Sequence, residues 1–196
     1  MFGSSVAEAL IFLIDTVFGL YLLAVALRFL LQWVRADFYN PISQFLVAVT
    51  NPPLRVLRRF IPGYRGIDFS SLVLMLAIKL AELCLETLIA AGRLPAAAGL
   101  LVLGVAELLN LFIYIFLFAI IIQIVVSWVS PGAYNPVTVI LYRLTDPLLR
   151  PARRIVPPVG GLDFSPILPI VALQLLIILL IKPLLRLGYS LGGFVQ

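Results

Sequence analysis

Polar residues stand inside long apolar runs, among them Asp15, Lys79, Glu82, Glu86, Asn110 and Gln174. Carboxylates, an ammonium and amides held in hydrocarbon are costly, and the chemistry they suit is passage of an ion or relay of a proton. Lys79, Glu82 and Glu86 recur at i, i+3 and i+7, so they share one helix face and a Lys79–Glu82 ion pair is sterically expected. The alternative role is helix–helix adhesion, in which the same groups neutralise and hydrogen-bond one another.

A second set is basic. Arg55, Arg58 and Arg59 are reproduced one for one, 95 residues on, as Arg150, Arg153 and Arg154. Beside apolar runs such clusters set orientation, bind anionic lipid headgroups at about 1 kcal/mol per basic residue, or meet a protein partner. Scattered charges would orient a chain equally well, so the matched placement favours a binding role. Asp68 and Asp163 are candidate partners for these arginines, or complements to the dipoles of the helices that follow.

Much else is excluded. The chain has no histidine and one cysteine, Cys84, which removes disulfides, CxxC chemistry and imidazole ligands or bases. No GxSxG or Walker pattern occurs. No catalytic residue, metal site or cofactor is therefore expected. With 63% hydrophobic and 12% charged residues among 196 and a mean hydropathy of +1.16, the chain reads as an integral membrane protein. Its net charge of +5 points to anionic headgroups rather than directly to nucleic acid.

The elements that must carry these residues are four apolar stretches, each long enough to cross a bilayer, near 6–34, 69–91, 97–129 and 164–187. The first lacks a basic n-region and a small-residue cleavage site, so it is expected to be retained. Arg35, Arg55, Arg58, Arg59 and Arg65 follow the first stretch, and Arg143, Arg150, Arg153 and Arg154 follow the third, against Arg93 alone between the second and third. The positive-inside rule then makes both basic loops cytoplasmic and both termini periplasmic.

Those loops are copies. YNPISQFLVAVTNPPLRVLRRFIP at 39–62 returns as YNPVTVILYRLTDPLLRPARRIVP at 134–157. The expected architecture is all-α: four transmembrane helices as two parallel repeats, over 1–95 and 96–196, each with an amphipathic interfacial helix pair in its cytoplasmic loop. Within each loop, Asn40-Pro41 and Asn135-Pro136 are helix starts, an N-cap before a first-turn proline. Second starts are expected at Thr50-Asn51-Pro52 and Thr145-Asp146-Pro147. Gly66, Asp68, Phe69 and Ser70 match Gly161, Asp163, Phe164 and Ser165, and Ser165 reads as the cap of the last helix. Tyr39, Tyr134, Trp33 and Trp128 are expected boundary anchors. The same offset places Asp15 on Asn110, Arg28 on Gln123 and Lys79 on Gln174. Arg28, about 9 Å from the cytoplasmic end of its span, is expected to snorkel out.

The segment LRFLLQWVRADFYNPISQFLVAVTNPPLRVLRRFIPGYRGIDFSSL, with its second copy over 128–165, resembles the YggT family, also called YlmG, of small bacterial and plastid membrane proteins. The second copy departs at Ser130-Pro131-Gly132-Ala133, where the first has Arg35-Ala36-Asp37-Phe38. The resemblance implies a multi-pass protein of the bacterial inner membrane and implies no reaction. It associates bacterial relatives with osmotic adaptation, potassium uptake, cell division and nucleoid placement, and plastid relatives with cytochrome assembly. Expected partners are membrane lipids through their anionic headgroups, membrane proteins, or further copies of the chain. A non-enzymatic organiser of lipid or protein partners is the leading expectation, and an oligomeric potassium channel or transporter component is its rival.

Overall fold

The computed structural model describes residues 2–64, 66–129, 132, 135–156 and 163–193, with side chains from Ser5 onward. Arg65, Ser130, Pro131, Ala133, Tyr134, Pro157 and Gly161, all drawn on above, lie outside the described residues. The described residues form six helices and no strand: α1 (Phe2–Trp33), α2 (Pro41–Leu57), α3 (Phe69–Ala91), α4 (Ala97–Val129), α5 (Pro136–Ile155) and α6 (Ile167–Gly192).

Three segments, Ser5–Trp33, Ala97–Val129 and Ile167–Gly192, are long and apolar enough to cross a membrane. α1 and α4 are apolar on every side, as helices surrounded by lipid and other helices must be. α3 has the length, 23 residues, but Lys79, Glu82 and Glu86 take it out of that apolar class. It ends at Gly92, whose φ of 65° suits a residue without Cβ, and the Gly92 N–H closes on Leu88 O at 2.9 Å.

α1 packs on α3, α4 on α6, and α3 on α4. The α4–α6 contact is built from small residues: a Cβ added to Gly99 would lie 2.0 Å from Gly192 N, and one added to Gly188 would lie 2.9 Å from Leu103. Arg93 Nη2 donates to Gly193 O at 2.9 Å and the Ala96 N–H to Gly192 O at 3.1 Å, tying the α3–α4 turn to the end of α6. Within α6 a π-helical turn at Ile177–Ile181 precedes Pro183. The proline has no N–H to offer, and the widened turn accommodates its ring.

Each basic segment is one helix, which corrects the expected helix pair. The buried face of α2, Ser43, Leu46, Thr50 and Leu54, runs at helical spacing straight past Pro52 and Pro53, and that of α5 runs past Pro147 and Pro151. Prolines free the carbonyls four residues back, here those of Ala48, Val49, Arg143 and Pro147. All four residues are exposed, so the freed groups can be hydrated while packing on the opposite face carries the helix through. Ser165 is a second correction. α6 begins at Ile167, behind Pro166, with no side-chain cap, and the turn before it is held by Asp163 Oδ1, which accepts from the Ser165 N–H at 3.0 Å.

Candidate functional site

The two proline-started helices are fixed at their first turns. Asn40 Oδ1 accepts from the Ile42 N–H at 2.9 Å, and Asn135 forms a reciprocal capping box with Thr138. Asn40 also spends its amide across the molecule, where Nδ2 donates to Pro136 O at 2.7 Å and joins the start of α2 to that of α5. α2 lies against α1, and α5 against α4. Tyr39, Pro41, Pro52, Pro136 and Pro147 are all exposed or half-buried. Trp33 and Trp128 are exposed at the ends of α1 and α4.

At their far ends the same helices are roped to the helices that follow. Arg58 Nη2 donates to Asp68 Oδ2, which also accepts from Ser71 Oγ at 2.8 Å. Arg153 Nε donates to Asp163 Oδ2 at 3.0 Å. Burial alone would raise the Asp68 carboxyl, but the hydrogen bonds from Arg58 and Ser71 together with the Arg58 charge hold it below its ordinary value. The Asp163 carboxyl is also lowered: burial again pushes it up, and bonds from Ser165 and Arg153 together outweigh that push. Arg55, Arg59, Arg150 and Arg154 are exposed and form no ion pair among the described residues. Of each arginine trio, then, one member is committed to structure and two face outward.

Further in, matched polar positions make matched contacts. Arg28 Nη1 donates at 2.7 Å to the hydroxyl of Thr50 on α2, and Gln123 is bonded to the hydroxyl of Thr145 on α5. Arg28 does not snorkel: it is 5% exposed, because α2 folds over it. The sequence marked Thr50 and Thr145 only as parts of helix-start signals, beside Asn-Pro and Asp-Pro, and not as partners of Arg28 and Gln123.

Between α1, α3, α4 and α6 lies a cavity of about 410 Å³ walled by Asp15, Lys79, Glu82, Glu107, Asn110 and Tyr189. Lys79 Nζ bonds Glu82 Oε1 at 2.9 Å, as its spacing predicts, and also Glu107 Oε2 at 2.6 Å. Glu107 was missed; it sits one turn before Asn110, but its counterpart 95 residues back is Phe12, so comparison of the two halves passes over it. Glu82 Oε2 and Asn110 Oδ1 are buried with no hydrogen-bond partner among the described residues. Carboxylate oxygens of Asp15, Glu82 and Glu86 lie within 4.8 Å of one another, close enough to share a hard cation or protons, although the sequence suggested no metal. Asp15 and Asn110, matched by the offset, therefore wall one cavity. Lys79 and Gln174 part company, since Gln174 is exposed on α6 away from it.

The sequence profile of the CCB3/YggT family matches twice, over residues 7–89 and 102–184. An uncharacterised protein of Pseudomonas aeruginosa is 46% identical over 177 residues, covering 90% of each chain. The uncharacterised protein YggT of Escherichia coli is 39% identical over 170 residues, 86% of this chain and 87% of that one. The uncharacterised protein ycf19 of Porphyra purpurea is 34% identical over 89 residues, which is 90% of its length but 45% of this chain. No solved structure matches the chain significantly.

Proposed function

The chain belongs to the CCB3/YggT family, and from that premise we propose that it is a non-enzymatic, multi-pass protein of the bacterial inner membrane that organises anionic lipid or protein partners through its two basic cytoplasmic helices. In this reading α3 is a fourth span whose charges face its neighbours, the two halves are parallel repeats, and both termini are periplasmic. Osmotic or envelope-stress adaptation, or assembly of membrane complexes, is the setting such a platform would serve. The observation that carries the reading is the duplicated division of labour among the arginines. Arg58 and Arg153 anchor each helix to an aspartate, which leaves Arg55, Arg59, Arg150 and Arg154 presented in two equivalent patches.

The two tryptophans report on the lipid around those patches. In mixed vesicles, brominated phosphatidylglycerol is expected to quench Trp33 and Trp128 more than brominated phosphatidylcholine does. Changing the four exposed arginines to glutamine should reduce that preference by about tenfold or more, given roughly 1 kcal/mol per basic residue. An unchanged preference would sink the lipid reading.

A second reading has its own observation: Glu82 and Glu107 share Lys79 on the wall of the inner cavity, and carboxylate oxygens of Asp15, Glu82 and Glu86 cluster beside it. Groups so placed suit a cation pathway, formed with further copies of the chain. Potassium flux into vesicles carrying the purified protein, abolished in the Asp15→Asn, Lys79→Gln double variant, is the expected result. Flux no greater than in empty vesicles rules this reading out.

A further inference from the structure

Arg28 is a buried cation without an anion. It is 5% exposed, and its guanidinium pairs with no carboxylate among the described residues: Nη1 reaches the neutral hydroxyl of Thr50, and Nε, also buried, has no partner. A guanidinium carries five donors and cannot shed its proton. A buried charge of this kind calls for a counter-charge.

The side chain borders an open pocket of about 800 Å³ whose polar wall also includes Gln32, Asn51, Arg58 and Asp68. Asp68 is already occupied, since its Oδ2 accepts from both Arg58 and Ser71. Arg58 and Asp68 therefore cancel, and the pocket retains the one positive charge of Arg28, flanked by the side-chain amides of Gln32 and Asn51.

The second half of the molecule holds a natural control. A pocket of about 210 Å³ is lined by Gln123, Ser127, Tyr142, Arg153 and Asp163, which stand 95 residues after Arg28, Gln32, Val47, Arg58 and Asp68. Here the arginine is replaced by a neutral glutamine already bonded to Thr145, the ion pair again cancels itself, and a tyrosine stands where the first pocket has a valine. The five matched positions correspond, and among them the second half carries no spare charge.

We infer that the first pocket binds a phosphate group, carried by an anionic lipid headgroup or by free phosphate, with Arg28 as the recognising cation and Gln32, Asn51 and Arg58 as flanking donors. Donors converging from α1, α2 and the turn after α2 suit a tetrahedral anion with several oxygens better than a flat carboxylate. This inference rests on the lipid reading above and supplies it with a specific site, distinct from the exposed arginines.

The test is titration of the purified full-length chain, in uncharged detergent, with dioctanoyl phosphatidylglycerol, with dioctanoylglycerol, which lacks the phosphate, and with inorganic phosphate. The expected result is saturable binding of the phosphatidylglycerol and none of the dioctanoylglycerol. Arg28→Gln, which installs the residue native to the second copy, should weaken binding about tenfold or more, with Arg28→Lys intermediate. The variant with glutamine at positions 55, 59, 150 and 154 should bind within about twofold of the parent, because its changes lie outside the pocket. Inorganic phosphate that competes would identify free phosphate as the source, and phosphate that does not compete would identify the lipid. Absence of binding by the parent chain, or binding by Arg28→Gln equal to the parent's, overturns the pocket. In that event the quenching experiment still decides the general lipid reading, because it depends on the other four arginines.

Discussion

At the starts of α3 and α6, Asp68 and Asp163 perform one task in two environments, and the difference decides what each contributes. The Asp68 side chain is 4% exposed and that of Asp163 is 37% exposed. Hydrogen bonds to a buried carboxylate contribute about 1–3 kcal/mol, whereas an exposed, screened pair contributes about 0–1 kcal/mol. Asp68→Asn is therefore expected to lower the unfolding midpoint of the solubilised protein clearly, and Asp163→Asn to change it little. The pH dependence follows from the direction of the shifts. Both carboxyls are held below their ordinary value of 3.8, so their stabilisation is complete above that pH and is lost as pH falls through the lower folded-state values. Thermal unfolding followed by circular dichroism should show a decline below about pH 3.8 that is reduced in Asp68→Asn; an unreduced decline would mean that other groups cause it. Arginines and aspartates repeated at one offset make this pairing legible in the amino-acid sequence. Thr50 as the partner of Arg28 and Glu107 as the second partner of Lys79 were not legible there, because each comes from another helix.

Among the elements, α2 and α5 carry the clearest local signals and the clearest failure of local reading. Asn-Pro marked both starts correctly, since an N-cap and a first-turn proline act within a few residues. The second pair of prolines misled, because the same residue that opens a helix is tolerated inside one when the carbonyl it frees is wet and the opposite face is packed. Asn40 differs from Asn135 in bonding both its own helix and Pro136. Asn135→Ala should cost about 1 kcal/mol, the usual worth of a cap, and Asn40→Ala about 2 kcal/mol, since a second bond goes with it. Asn40→Asp keeps the cap oxygen and loses only the amide donor, so its smaller destabilisation isolates the bridge between the two helices. Equal effects of Asn40→Ala and Asn135→Ala in denaturant titrations would show that the bridge contributes nothing.

For the molecule as a whole, the topology is open to direct measurement, because Cys84 is the one cysteine. In a Cys84→Ser background, Arg59→Cys and Arg154→Cys are expected to react with an impermeant maleimide only from the cytoplasmic side, and Leu94→Cys only from the periplasmic side. Labelling of Leu94→Cys and Arg59→Cys from one side would remove α3 as a span. Class, helical content, the doubled basic tract and its helix starts follow from composition and spacing, because burial of apolar surface in lipid and first-turn hydrogen bonding act on neighbouring residues of one chain. Four results required the packed molecule: α2 and α5 as single helices, Arg28 enclosed under α2, Glu107 joined to Lys79, and unequal pockets in the two halves. Each depends on which side chains meet across helices distant in sequence. The doubled tract predicts two equal loops, yet the packed halves set Gln123 and Tyr142 in one against Arg28 and Val47 in the other, so that among the matched lining positions the spare charge lies in the first half.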